Sequence, residues 1–487
     1  MISKKSLKLN VILNMMLTLS GIIFPLITFP YVTRVLQPEG TGQIAFANSI
    51  VNYFSMFAAL GIPTYGIRTC AKVRDDREVL SRTVCEIMAV NFIMTVISYL
   101  VLVVAVILIE KLHDVSCLIA IFSLNMILSF IGVEWLYKAF ENYSYITARS
   151  LIIKTLSVVL IYAFVKTKED VVIYAGILVL ANTGYGIFNF LNLKKYISFT
   201  KIKSIDFFKH IKPISIFFAM TVATTIYTNL DTTMLGFMCT DADVGIYDVA
   251  VKIKVILVSI VTSLGMVLLP RASYYIENQK ITEFRRVSGK AMEFVLAVSI
   301  PCTLAFTITA DKCIVFLSGS AYEAATVPMR IIMPTLILIG ITNIIGLQML
   351  VPLGKEIIVL LSEIIGAVID LILNIILIPL YGAAGAALGT LAAETAVLLV
   401  QLLTSRKEII EMSRQLHPIK ISASALIAAF FTFIAKIHIE YGVFYELIIL
   451  MGIYVTSYSA CMVVLKETIV IDILQNVKNR VIKIDNN

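Results

Sequence analysis

Charge is what this chain lacks most. Only 15% of its 487 residues are Asp, Glu, Lys or Arg, while 59% are hydrophobic and the mean hydropathy is +0.92. A soluble domain carries about 25% charged residues, and no water-soluble fold of this size has interior enough for so large an apolar fraction. A soluble enzyme, a disordered protein and a secreted disulfide scaffold are therefore excluded. Cysteine is scarce and odd in number (seven). No Cys-x-x-Cys occurs, so these residues read as small apolar side chains. The four histidines, His113, His210, His417 and His438, are scattered, and no metal site is expected. No glycine-rich loop is followed by Lys-Ser/Thr, which speaks against nucleotide hydrolysis. Long polar loops are missing too, so no extramembrane domain, no catalytic residues and no cofactor are expected.

What is present is apolar sequence in long, uninterrupted runs. Uncharged stretches lie between Lys8 and Arg34, Glu39 and Arg68, Glu86 and Glu110, Asp114 and Glu134, Asp170 and Lys194, Arg330 and Lys355, Asp370 and Glu394, and Glu446 and Lys466. Each can form a helix crossing about 30 Å of hydrocarbon, which takes about 20 residues. A membrane β-barrel would instead alternate apolar and polar residues in short segments. With the runs that carry one or two internal charges, the expectation is an all-α polytopic membrane protein of about fourteen transmembrane helices. The first run holds Pro25 and Pro30 and no small-residue cleavage site, so it is not read as a cleaved signal.

Lys and Arg mark alternate loops: Arg68, Lys72, Arg74, Arg77 and Arg82; Lys194, Lys195, Lys201 and Lys203; Arg271, Arg285 and Arg286; Arg406, Arg414 and Lys420. Acidic residues such as Glu39, Asp114, Asp170, Asp241 and Asp311 occupy the intervening turns. The positive-inside rule then places both termini in the cytoplasm and requires an even number of spans. The net charge of +8 is topology, and no nucleic-acid partner is expected. A faint repeat accompanies this pattern. Gly42, Ala47 and Arg68 match Gly245, Ala250 and Arg271 at one constant offset of 203 residues. Two halves of about six spans are what alternating-access transporters use.

Four segments carry a resemblance. TFPYVTRVLQPEGTGQIAFANSIVNYF (Thr28–Phe54) with LGIPTYGIR (Leu60–Arg68) resembles the start of the bacterial polysaccharide repeat-unit flippases, the Wzx-type members of the superfamily that also holds multidrug-and-toxin exporters. The block from Gly132 to Tyr174 is similar to that family's fourth and fifth spans. TNLDTTMLG with GIYDVAVKI is similar to the start of its second half, and PLYGAAGAALGTLAAE to its eleventh-to-twelfth span junction. The resemblance implies two pseudo-symmetric six-helix bundles (residues 1–195 and 196–418) around a central lumen, followed by two peripheral helices and a cytoplasmic tail (419–487). It implies movement of an undecaprenyl-pyrophosphate-linked oligosaccharide from the inner to the outer leaflet of the cytoplasmic membrane. The polysaccharide polymerase and chain-length regulator are the partners it suggests, beside membrane lipids.

A charge at membrane depth costs at least about 2.5–3.5 kcal/mol, so deep cations should be paired or line a wet lumen. Arg34, Lys154, Lys252, Lys254 and Arg330 are the candidates for the diphosphate. Each has a plainer reading: Arg34 can snorkel to an interface, Lys252 can pair with Asp248 four residues before it, and Arg330 can be an end-of-helix residue. Polar stripes mark further lumen candidates: Asn14 with Thr18, Asn48 and Asn52 with Ser55, and Glu363, Asp370 and Asn374. Amides and hydroxyls suit sugar hydroxyls, and they also link helices. Asp231 is a candidate for coupling to an ion or for pairing with a buried lysine. Gly385 and Gly389 form a small-xxx-small packing face. Two other functions fit the composition: a drug or cation antiporter of the same fold, and a membrane-embedded polymerase or glycosyltransferase.

Overall fold

The computed structural model describes residues 7–198, 206, 208–413, 418–439 and 441–467, and helices account for nearly all of them, with no strand among them. Compactness divides the chain into two units, Met1–Gly245 and Ile246–Asn487.

In unit 1, α1 runs over Leu7–Ala59. At 1.5 Å per residue that helix would be about 80 Å long, more than twice the hydrocarbon thickness. It is in fact two legs, broken at Gln37, whose φ of 60° is left-handed. Pro38 is the cause, because a proline disfavours helical backbone in the residue before it. The Gln37 amide caps the break by donating to the carbonyl of Arg34 at 2.7 Å. Next come α2 (Ile62–Val73), α3 (Arg77–Leu108), α4 (Glu110–Asp114), α5 (Ser116–Gly132), α6 (Glu134–Ala139), α7 (Tyr143–Phe164), α8 (Val171–Thr183), α9 (Tyr185–Asn192) and α10 (Phe208–Met238). Asp76 starts α3 as an N-cap, its carboxylate accepting from the backbone N–H groups of Glu78 and Val79 at 2.9 and 3.1 Å, where a cap is worth about 1 kcal/mol. At one end of the unit Val84, Ile87, Trp135, Leu136, Tyr137, Ile146 and Leu193 form a closed core.

The second leg of α1 crosses the first turn of α11 (Asp241–Glu277) at glycines. A Cβ on Gly42 would lie 1.7 Å from the carbonyl oxygen of Asp241, and one on Gly245 would lie 2.1 Å from that of Pro38. Pro38 and Asp241 stand at the same 203-residue offset as the two glycines, so each glycine packs on the repeat counterpart of its own neighbour. The Asp241 carboxylate also accepts from Gln43 at 3.1 Å and from Lys111 at 3.2 Å.

Unit 2 continues α11 and adds α12 (Ile281–Ile308), α13 (Ala310–Ser318), α14 (Thr326–Ile332), α15 (Thr335–Asn343), α16 (Glu356–Tyr381), α17 (Ala383–Thr404), α18 (Arg406–Ser413), α19 (Pro418–His438) and α20 (Val443–Val464). A π-helical stretch, Ile344–Leu350, extends α15. The hairpin α16–α17 turns at Gly382, and α17 lies against α16 through Gly385 and Gly389, which bears out the small-residue packing face. Its core joins Val261, Phe284, Met292, Val295, Ile344, Ile345 and Met462.

Among the described residues, eight helical stretches are long and apolar enough to cross a membrane, or eleven when each of three bent helix pairs counts as one span. The expectation was about fourteen spans of about 20 residues each. Part of the difference has a physical source: one counted stretch, Ile12–Val73, holds both legs of α1. Another is α5, whose 17 residues fall at the short limit for a span. Leu100, Ile107, Ile372, Ile376 and Phe430 are exposed on these helices, as lipid-facing side chains must be. The chain is a multi-pass membrane protein.

Candidate functional site

Unit 1 holds a partly open cavity of about 280 Å³. The second leg of α1 brings Asn48, Asn52 and Ser55 to it, and α3 brings Asn91 and Thr95. From α5 come Asn125 and Ser129, from α8 Asn182 and Thr183. The spacings of three and four residues are those that put side chains on one helical face. Met126, Phe130, Ile62 and Pro63 supply apolar wall, and α6 supplies Trp135, the chain's single tryptophan. No Asp, Glu, Lys, Arg or His is among the lining residues.

Hydrogen bonds fix part of this lining. Asn91 donates to the carbonyl of Ala58 at 2.7 Å, Thr95 to that of Asn91 at 2.7 Å, and Thr183 to the side-chain oxygen of Asn125 at 2.7 Å. Asn52 donates to the Asn229 side chain of α10 at 3.0 Å. The side chains of Asn48 and Asn182 make no hydrogen bond with any described residue. Trp135 is held by its neighbour on α2: a Cβ on Gly66 would come within 2.6 Å of the indole. The site can donate and accept hydrogen bonds through its polar wall, and its described lining offers no titrating base and no counter-charge.

Two charged clusters stand beside it in the same unit. Glu86 on α3 is fully buried. It accepts from Arg82 at 3.0 Å, Lys209 at 2.7 Å, His210 at 3.1 Å and the backbone N–H of Asp206 at 3.1 Å, and His210 meets the Tyr65 hydroxyl at 2.6 Å. The second cluster centres on Arg149, buried on α7 among the rings of Tyr185, Tyr145 and Tyr137 at 4.4, 5.4 and 6.0 Å. Its carboxylate partner is Glu134, at 3.8 Å, which Lys138 also holds at 3.2 Å. Burial works to raise the Glu134 carboxyl, but Lys138, Tyr185 and Arg149 outweigh it and leave the group below its ordinary value.

The residues singled out in the sequence fall in different places. Asn48 and Asn52 line the cavity. Asn14 and Arg34 are exposed on the first leg of α1. Lys154 donates to the hydroxyl of Ser20 at 3.0 Å, and Arg34 lies 14 residues further along the leg, about 21 Å at 1.5 Å per residue. Asp231 is half-buried on α10. In unit 2 Lys252 pairs with Asp248 at 2.5 Å, the plainer of its two readings. Lys254 is half-buried and forms no ion pair among the described residues. Arg330 is 3.6 Å from Asp311, which Lys436 holds at 2.5 Å. Glu363 is half-buried, whereas Asp370 and Asn374 are buried beneath Gly389, whose added Cβ would fall 3.1 and 2.3 Å from their side-chain oxygens. Lys203 lies outside the described residues. Sequence reasoning missed Asn91, Thr95, Asn125, Ser129, Asn182, Thr183 and Trp135. The i, i+4 pairs Asn91/Thr95 and Asn125/Ser129 inside apolar runs were the available signal.

A family described as "Polysaccharide biosynthesis protein" matches residues 7–276. A relative from Escherichia coli (strain K12) named "Putative O-antigen transporter" is 24% identical over 411 residues, which are 83% of this chain and 98% of the relative. Among solved structures, the lipid II flippase MurJ in an inward closed conformation aligns over 92% of this chain and all of its own, with a TM-score of 0.65 and 16% identity. An inward-facing MATE-family multidrug resistance transporter of the MOP superfamily aligns over 80% of this chain and 95% of its own, at a TM-score of 0.59 and 14% identity. The fold is the all-α fold of these two transporters.

Proposed function

The chain belongs to the polysaccharide biosynthesis protein family, and on that premise we propose that it is a flippase carrying an undecaprenyl-pyrophosphate-linked oligosaccharide across the cytoplasmic membrane for surface polysaccharide assembly. The observation that carries the reading is the uncharged, amide-lined cavity inside a membrane-embedded unit. An enzyme that makes or breaks a glycosidic bond needs positioned carboxylates, and an exporter of organic cations needs a counter-charge. A sugar carrier needs neutral hydrogen-bonding groups. The match over 98% of the relative named "Putative O-antigen transporter" supports the same reading.

In this proposal both termini are cytoplasmic, about fourteen helices span the bilayer at about 20 residues each, and two bundles (residues 1–195 and 196–418) alternate access to a lumen, with 419–487 peripheral. Lys254 and Arg330, assisted by Arg34, Lys154 and Lys252, meet the diphosphate. Arg can do so through a two-pronged fork and Lys as a point charge. Asn14, Asn48, Asn52 and Glu363 present polar groups to the glycan, Asp370 and Asn374 support that polar face from their buried positions beneath Gly389, and Asp231 takes up a coupling ion. The translocated unit passes to a polymerase and a chain-length regulator. A strain lacking this chain should accumulate complete lipid-linked repeat units on the cytoplasmic leaflet. If the pool does not accumulate there, the function is wrong. Single cysteines in a cysteine-free background should place the loop holding Arg286 inside, and labelling of that loop from outside intact cells would overturn the topology.

A further inference from the structure

We propose that the cavity of unit 1 is a binding subsite for one neutral pyranose ring of the glycan, separate in chemistry from the groups that meet the diphosphate. The inference rests on the flippase reading and adds to it a place and a ligand class. Its size sets the scale. Pockets for small molecules run from about 300 to 1,000 Å³, so 280 Å³ suits a single ring and not a whole repeat unit.

The lining then sets the class. A phosphate or an organic cation brought here would lose part of its water against described walls that hold no opposite charge, an unfavourable exchange. A sugar hydroxyl both donates and accepts, and so does a carboxamide. The side chains of Asn48 and Asn182 keep their full hydrogen-bonding capacity, since neither bonds to a described residue. Asn125 accepts from Thr183 through its oxygen, so the bond to Thr183 does not use its two N–H donors. Asn91 is pinned by the Ala58 carbonyl, which orders the site before a ligand arrives and lowers the entropy cost of binding. Trp135 provides an aromatic wall for the C–H face of a ring, and Gly66 keeps that wall in place.

Trp135 is the only tryptophan in the chain, so the tryptophan emission of the detergent-solubilised full-length protein, excited selectively over its 21 tyrosines, comes from a residue in the wall of this cavity. The probes are methyl α-D-glucopyranoside, methyl α-D-galactopyranoside and methyl N-acetyl-β-D-glucosaminide, set against sodium pyrophosphate and tetraphenylphosphonium. At least one pyranoside should change the emission saturably, and neither ion should. Asn48→Leu and Asn182→Leu remove no internal hydrogen bond, so both should fold with unchanged resting emission. Each should weaken the pyranoside about tenfold, the effect of losing hydrogen bonds worth about 1.4 kcal/mol. Lys72→Ala, exposed and off the cavity, should leave it unchanged. The proposal is overturned if no pyranoside gives a saturable change, if either ion gives one, or if both leucine variants bind as the parent does. Leaflet accumulation in the deletion strain is read independently, so a failed subsite and a failed flippase assignment give different results.

Discussion

Removing the Glu86 carboxylate should cost unit 1 about 3 kcal/mol. That follows from the one partner that cannot rehydrate, taken at the upper end of the about 1.5–3 kcal/mol that a hydrogen bond to a charged group is worth. Glu86 has four donors around it, but they are not equivalent. The side chains of Arg82 and Lys209 are 47% and 46% exposed, so in Glu86→Ala both can turn to water, and their ion pairs contribute little more than surface pairs do. His210, with a side chain 4% exposed, is different, because it loses its acceptor where water has little access, whereas the backbone N–H of the exposed Asp206 can turn to water. Breaking a fully buried charge pair costs about 3–5 kcal/mol, which bounds the estimate from above. Glu86→Gln keeps the shape and one acceptor oxygen and should lose about half as much. Thermal unfolding of the detergent-solubilised protein, followed by Trp135 fluorescence, is the assay. On the scale of a 150–250-residue domain, the alanine variant should melt about 6–12 °C lower. Arg74→Ala is the control: its pair with Glu141, 39% and 54% exposed, should be worth less than about 1 kcal/mol. If Glu86→Ala melts with the control, the cluster is solvated and its burial contributes nothing.

Three further outcomes follow from the structure. Gly389→Ala pushes a methyl to 2.3 Å from the Asn374 side-chain oxygen and should lower stability by about 1–3 kcal/mol, whereas Gly452→Ala, with nothing within 4 Å, should raise it by about 0.5–1 kcal/mol through helix propensity; paired melting curves decide. Glu134 is held below its ordinary range, so its contribution is present above the unfolded carboxyl pKa of about 4.3 and is lost as pH falls through the lower folded value; Glu134→Gln should therefore flatten the acid limb of the melting-temperature profile below about pH 4. Lys254→Ala should slow translocation of lipid-linked units, while Lys280→Ala, on an exposed surface where charge is screened within about 10 Å, should not; equal rates in the two folded variants would remove Lys254 from the mechanism.

Composition and run length were enough to predict the helical membrane class, because burying or exposing about 20 consecutive apolar residues admits few other structures. The helix break was not located: the prolines that drew notice in the first run were Pro25 and Pro30, whereas the non-helical backbone falls at Gln37, before Pro38. Pairing across helices was not legible at all. Asn52 reads as one more polar residue in a stripe, and only the fold brings Asn91, Asn125 and Asn182 to the same cavity. His210 looked isolated because its partners Glu86 and Tyr65 lie 124 and 145 residues away. The emphasis on cations had a similar cause. A charge in an apolar run is conspicuous in a sequence, whereas an asparagine is not, although both are costly to bury unpartnered.

The crossing of Gly42 and Gly245 has a meaning for descent. If the two halves of this chain arose by duplication, Pro38 and Asp241 were once the same codon, and so were the two glycines. The crossing would then have been the self-complementary contact of a symmetric dimer, in which residue i of one copy meets residue j of the other and the reverse. In that ancestor any side chain at the glycine position would have clashed twice. After fusion the two sites could diverge separately, and one of them has: Asp241 now receives Gln43 and Lys111, a role proline at 38 cannot take. The glycines have kept their common identity, because the backbone-to-backbone approach leaves room for hydrogen alone on either side.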